Sequence, residues 1–258
     1  MENHTEAVLS HFLKESLKGK TALITGGTTG IGRATTFLLA SSGMKVMFFG
    51  RHEQELKDTL NDLREAKLED NVYGLVADTS KTEDIQRVFT KVDQEFGQLD
   101  ILINNAAVGY GSILEGTYKE WQEVVQINLL GYMAFTHEAA VRMKAQGKGH
   151  IVHIGSMSAD EREEGSSIYV ATKAGVQGFS EALRKEVNPL GIKVSLIEPG
   201  AVGTDMQGQF SPGEQREREE KMKMLKAEDI AACILYILSQ PERCDIVDIK
   251  IRPHLQLI

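Results

Sequence analysis

The sequence predicts an α/β protein built on one doubly wound parallel sheet of about seven strands, with helices on both faces. Short apolar runs alternate with helix-length segments along nearly the whole chain, which is the pattern of βαβ crossovers. The runs are continuously apolar, as strands covered on both faces should be. A glycine-rich turn joins the first run to the first helical segment, where open α/β sheets place a ligand. With 258 residues and 41% hydrophobic content the chain can bury one substantial core without staples, so a single domain is expected over residues 1–258.

In chain order the first strand is "TALIT", residues 21–25, and "GIGRATTFLLASSG" supplies a helix that ends at Gly43. The further strand candidates are "KVMFFG", "VYGLVA", "ILINNA", "HIVHIG", "KVSLIE" and finally "DIVDIKI". Ahead of them, Val8, Leu9, Phe12, Leu13 and Leu17 recur at helical spacing, predicting a short amphipathic extension over 1–18 that packs on the body or on a partner subunit. Early acidic residues and the lack of a continuous apolar core argue against a signal peptide or a membrane span there. Residues 207–229 are rich in charge and poor in large apolar groups; 207–224 read as a flexible substrate lid or a solvated helix.

A formal charge of -8, a pI near 5.5 and no sustained Lys/Arg run argue against a nucleic-acid partner and for a small molecule. Cys233 and Cys244 have neither metal-ligand spacing nor the numbers for a disulfide framework, which fits a cytoplasmic protein without a metal.

Gly26, Gly30 and Gly32 fall at the first strand-to-helix turn. Without Cβ atoms, the main-chain N–H groups there and the positive helix end can face a pyrophosphate, as a Rossmann-like fold with a dinucleotide ligand would require; taken alone, the same glycines could merely make a tight turn. At the end of the second strand, where a carboxylate would bind the ribose of NAD, stands Gly50; Arg51 follows, and its guanidinium suits a 2′-phosphate. NADP is favoured, with NAD as the alternative.

Tyr169 and Lys173 are four apart and share a helix face, so an ammonium can stabilise a phenolate; lowering a phenol by ~3 pH units takes ~4 kcal/mol. Ser156 follows an apolar strand and so stands at a carboxyl end of the sheet, where its hydroxyl and the Tyr169 phenol could both donate to a carbonyl oxygen gaining charge. Asn128 interrupts the apolar "WQEVVQINLLGYMAF", where a buried amide needs partners. His153 reads as structural, and His137 and His150 receive no role.

These residues resemble the short-chain dehydrogenase/reductase family in its compact single-domain form. Thr25-Gly26 followed by Gly30-Ile31-Gly32 matches its TGxxxGIG loop, "NNAA" at 104–107 its NNAG segment, and "EPGAVGTDM" its PG loop. The resemblance spans roughly residues 17 to 206. It implies a catalytic tetrad of Asn128, Ser156, Tyr169 and Lys173, with Asn128 holding a water behind Lys173. It also implies cofactor contacts from Thr28, Thr29 and Ile31 in the first loop, from Asp78 beside the adenine and its neighbour Thr79, and from Asn105, Ala106 and Ala107. Tyr169 and Lys173 would touch the cofactor as well, as would Pro199, Gly200, Val202 and Thr204, the last at the carboxamide. Ala107 departs from the family's glycine, and the tail lacks its glycine-rich ending. The expected activity is NADPH-dependent reduction of a ketone or aldehyde, or its reverse, in a homodimer or homotetramer. NAD-linked secondary alcohol oxidation is the alternative, and a non-catalytic dinucleotide sensor is a further one. In the lid, Met206, Phe210, Met222 and Met224 are the apolar groups able to cover a substrate.

Overall fold

The computed structural model describes residues 17–207 and 210–256. Its sheet has seven parallel strands: β1 (Thr21–Thr25), β2 (Lys45–Gly50), β3 (Val72–Val76), β4 (Ile101–Asn104), β5 (Gly149–Ile154), β6 (Ile192–Pro199) and β7 (Asp248–Ile251). Their spatial order is β3-β2-β1-β4-β5-β6-β7. The chain winds outward from β1 to β3, returns to lay β4 on the other side of β1, and continues to β7. That reversal opens a crevice at the carboxyl ends of β1 and β4.

The helices are α1 (Gly30–Ser41), α2 (Glu53–Glu65), α3 (Thr82–Glu95), α4 (Tyr118–Val125), α5 (Gly131–Gln146), α6 (Ser158–Glu161), α7 (Ser167–Val187), α8 (Pro212–Glu220) and α9 (Ala227–Leu238). Successive strand residues point to opposite faces. Val46 and Phe48 of β2 therefore pack with Leu39 of α1, Leu56 and Leu63 of α2 and Ile234 of α9. Met47 and Phe49 pack on the other side with Phe89 of α3, Phe135 of α5 and Leu183 of α7. Two helical layers bury both faces, which is why the strands read as unbroken apolar runs.

All seven expected strands form. Of the expected extension over 1–18, residues 1–16 lie outside the described residues; Leu17 is buried in the core. The expected lid takes helical form as α8, which starts at a capping box in which Ser211 and Glu214 satisfy each other's backbone N–H groups. Between α4 and α5 a single π-helical turn, Gln126–Leu130, carries Asn128; periodicity gave no sign of it.

Candidate active site

A cavity of ≈ 1080 Å³ lies over the carboxyl ends of the strands, lined by the segments after β1, β2, β3, β4, β5 and β6 and by one face of α7. At its floor is the glycine turn. Gly26 has φ +65° and Gly30 φ +50°, conformations that side-chain-bearing residues rarely adopt. The Thr29 side chain makes no capping bond to α1, and no acidic residue occupies the helix's first turn, so the first N–H groups of the helix have no side-chain partner from its own cap. Thr28, Thr29, Gly30 and Ile31 all line the cavity. Gly32 does not. A Cβ there would sit 2.0 Å from the Gly26 carbonyl oxygen, so this glycine lets the turn close on itself rather than letting a ligand approach. The turn is braced from β4: Asn105 Nδ2 donates to the Thr25 and Gly26 carbonyls at 3.0 Å each. The backbone N–H groups of Asn105 and Ala106 donate to Thr25 Oγ1 at 2.9 Å each.

Gly50 is a glycine for a local reason as well: a Cβ would lie 2.1 Å from Thr28 Oγ1. No acidic side chain fits there unless the loop moves. Arg51 lines the cavity beside it, its Nη1 held 3.0 Å from Glu123 Oε1 on α4. After β3, Ala77 and Thr79 line the cavity and Asp78 does not. Asp78 Oδ1 accepts from Ser80 N–H at 2.9 Å and Ser80 Oγ at 2.7 Å, a local turn after β3. Ala107 lines the cavity together with Pro199, Gly200, Val202 and Thr204. The Thr204 methyl lies 3.0 Å from where a Gly30 Cβ would be, so the two loops close on each other.

Ser156, Tyr169 and Lys173 line the same cavity. Ser156 Oγ accepts the Ser158 N–H at 3.1 Å, which fixes the turn after β5. Lys173 is buried, and its Nζ donates to the Ile154 carbonyl at 2.8 Å, which also accepts from Tyr132 Oη at 3.0 Å. Burial pushes the Lys173 ammonium down to about 7. The Nζ stands 5.7 Å from the centre of the Tyr169 ring. The Tyr169 phenol is pushed up to about 12, by burial first and by the Glu163 charge as well, against a hydrogen bond with Ser156 that lowers it. The expected lowering of the phenol by lysine is therefore not what the chain alone produces. Lys173 directs its hydrogen bond to Ile154, and burial keeps the Tyr169 phenol in its neutral form.

Asn128 is fully buried and outside the cavity lining. Its Oδ1 accepts the Val108 N–H at 2.8 Å, and its Nδ2 donates to the Val108 carbonyl at 2.8 Å and to Thr172 Oγ1 at 3.3 Å. The side chain ties the loop after β4 to α7, and Oδ1 keeps one lone pair beyond its bond to Val108. His153 is structural, as read from the sequence: its ring nitrogens meet Ser180 Oγ and Thr136 Oγ1, and burial drops it to about 3, so it stays neutral.

A family model described as short chain dehydrogenase matches residues 20–215. The chain belongs to the short-chain dehydrogenase family. An uncharacterized oxidoreductase of Staphylococcus aureus is 34% identical over 92% of this chain and 98% of its own length. Another, from Staphylococcus saprophyticus, is 31% identical over the same shares. Among solved structures, an alcohol dehydrogenase of the archaeon Thermococcus sibiricus complexed with 5-hydroxy-NADP superposes with TM-score 0.83 at 27% identity, covering 93% of this chain and 99% of that one. An actinorhodin polyketide ketoreductase variant with NADPH gives TM-score 0.83 at 29% identity, covering 92% and 97%. The chain is thus an oxidoreductase of this family with its Rossmann-type sheet.

Within this short-chain dehydrogenase, the cavity also takes residues that motif reading passed over. Tyr110, Met157 and Gln256 are these; Glu161 and Glu163 of the charged 158–167 segment line it beside them. Gln256 reaches it from the C-terminal segment, its Oε1 accepting the Ala201 N–H at 2.9 Å. No spacing signal connects residues so far apart. Of the four apolar lid residues, Met206 alone lines the cavity; Met224 is buried in the body, and Phe210 lies under the Arg218 guanidinium at 4.3 Å. Among the described residues no helix is long and apolar enough to cross a membrane, and no cluster of three or more His, Cys, Asp or Glu side chains could hold a metal.

Proposed function

We propose that the protein is an NADPH-dependent reductase of a ketone or aldehyde, acting on a small molecule at Ser156 and Tyr169. One observation carries the reading: a neutral tyrosine phenol and a serine hydroxyl share one cavity with a glycine cradle and an uncapped helix end. Gly26 to Ile31 and the start of α1 would hold the pyrophosphate, Arg51 the 2′-phosphate, and Pro199 to Thr204 the nicotinamide. The Thr28 side chain filling the space beside Gly50 favours NADP over NAD, since it excludes the carboxylate that would reject the phosphate. The two solved relatives named above are bound to NADP-type cofactors.

The bound cofactor supplies a hydride. The protein supplies the rest. Ser156 and Tyr169 donate to the carbonyl oxygen, where negative charge grows, and Tyr169 gives up the proton that completes the alcohol. The Lys173 ammonium stabilises the phenolate left behind. Asn128 is a positioning residue: it locks Val108 and Thr172, and Thr172 Oγ1 donates to the Tyr169 carbonyl at 2.8 Å. Alcohol oxidation is the same chemistry reversed, and a non-catalytic sensor would not need this donor pair. The exposed apolar groups Val125, Leu130, Met133 and Val141 on α4, the π turn and α5 support a homodimer or homotetramer. The free Cys233 and Cys244 support a cytoplasmic setting.

The test is NADPH and NADH oxidation by the purified protein against a panel of ketones and aldehydes, alongside equilibrium binding of each cofactor. Turnover with NADPH preferred is expected. Failure of every carbonyl to consume either cofactor, with dinucleotide binding intact, would favour the sensor.

A further inference from the structure

The charged groups along the cavity are unevenly placed. Arg51 and Glu55 line the end nearest β2, while Glu161 and Glu163 line the side nearest Ser156, with Asp205 from the segment after β6, so acids outnumber cations. Lys173 is the one lysine among the lining residues, and it is buried with its Nζ bound to the Ile154 carbonyl, so it cannot neutralise them. Local backbone geometry holds the two glutamates on the cavity. Arg162 between them adopts φ +53°, and its Nε donates to the Ala159 carbonyl, so the guanidinium is turned away from the lining. The Ser158 hydroxyl donates to Glu163 Oε1 at 2.6 Å. Neither Glu161 nor Glu163 has an ion-pair partner among the described residues.

The field of Glu163 is felt at the reacting atoms, since its charge helps hold the Tyr169 phenol protonated. It must act equally on any charge carried by a molecule whose carbonyl sits between Ser156 and Tyr169. We propose that Glu161 and Glu163 make this site selective for carbonyl substrates bearing a cationic group, such as an ammonium, and reject those bearing a carboxylate. The proposal rests on the reading of the cavity as a carbonyl site. It adds the chemical class of the substrate.

Both carboxylates are solvent-exposed, so each is worth only a few-fold for a cation and a few-fold against an anion. The opposite signs combine to about tenfold between matched ligands at low salt, and screening reduces this as ionic strength rises.

A matched series tests it: 4-(trimethylammoniomethyl)acetophenone, 4-(hydroxymethyl)acetophenone and 4-acetylbenzoate, which share the ring and ketone and differ in distal charge. The Kd of each is measured by calorimetry on the NADPH-saturated protein at low and high salt, and kcat/KM by NADPH consumption. Wild type is compared with the Glu161→Gln/Glu163→Gln double variant. The cation should bind about tenfold tighter than the carboxylate, with the alcohol between them, and the ratio should fall toward one with salt and in the double variant. Equal affinities, a preference for 4-acetylbenzoate, no binding of the cation, or a preference that survives in the double variant would each overturn the proposal. Turnover without a charge order would overturn it and leave the reductase reading standing. A charge order without turnover would do the reverse.

Discussion

Replacing Glu198 by Gln should stabilise the protein at pH 8 and do so far less at pH 5. Glu198 lies on β6 immediately before Pro199 and has no exposed surface. Its Oε1 accepts from Gln177 Nε2 at 3.3 Å, while Oε2 has no hydrogen-bond partner. The nearest cation, Lys250 Nζ, stands 3.8 Å away and is shared with Asp160. Burial first, then the Asp248 and Asp160 charges, raise the Glu198 carboxyl from 4.5 to about 7. The folded protein therefore holds a proton that the unfolded chain releases between those values, and stability falls as pH rises through that window. The difference between 4.5 and about 7 amounts to roughly 3 kcal/mol once the pH is above both. Gln keeps the shape and the Gln177 contact without the charge, so at pH 8 it recovers up to this amount, less the lost attraction to Lys250. At about 2–4 °C per kcal/mol for a chain of this size, the gain in Tm is roughly 5–10 °C at pH 8 and about 2–3 °C at pH 5, where just under ~1 kcal/mol has been lost. Lys173 acts with the opposite sign: its depressed value makes stability rise above about 7, but it is common to both proteins and cancels in the difference. Thermal and denaturant unfolding from pH 5 to 8.5 on both proteins makes the measurement. Parallel pH profiles, or a variant less stable at pH 8, would refute the reasoning.

Tyr169→Phe keeps the ring and deletes the proton donor, so kcat for carbonyl reduction should fall about 10²-fold or more while NADPH affinity persists; near-normal turnover removes Tyr169 from the chemistry. Arg51→Ala should raise the Kd for NADPH about tenfold and leave that for NADH in place, and an equal loss for both would show that Arg51 does not read the 2′-phosphate. Gly32→Ala forces a Cβ against the Gly26 carbonyl at 2.0 Å, so it should destabilise the fold by at least about 1–3 kcal/mol and weaken both cofactors alike. A wild-type melting curve for that variant would show that the turn can relax.

What the sequence made readable follows from which interactions are local. Val46 and Phe48 face one helical layer and Met47 and Phe49 the other, so β2 had to be apolar throughout and could be seen as a buried strand. Tyr169 and Lys173 were readable as a pair because helical spacing alone puts them on one face. Roles that depend on what a side chain meets were not readable. The glycine at 32 marked a place where no side chain fits, but the obstruction is the turn's own carbonyl rather than a ligand. Asp78 sits at the expected position, and that Ser80, two residues on, gives its Oδ1 two donors is a local bond that no motif announces. Asn128 was legible as a buried amide in need of partners; that its partners are the Val108 backbone and Thr172, joining two segments across the site, is a fact of tertiary packing. The same division governs the reacting pair. Helix spacing brings an ammonium near a phenol, but the direction of the Tyr169 shift depends on how much water each loses and on Glu163, which approaches from a separate turn. The charge state of the site is therefore set where α6, its following turn and α7 meet, and substitutions at Glu163 should alter proton donation by Tyr169 as well as the choice of substrate.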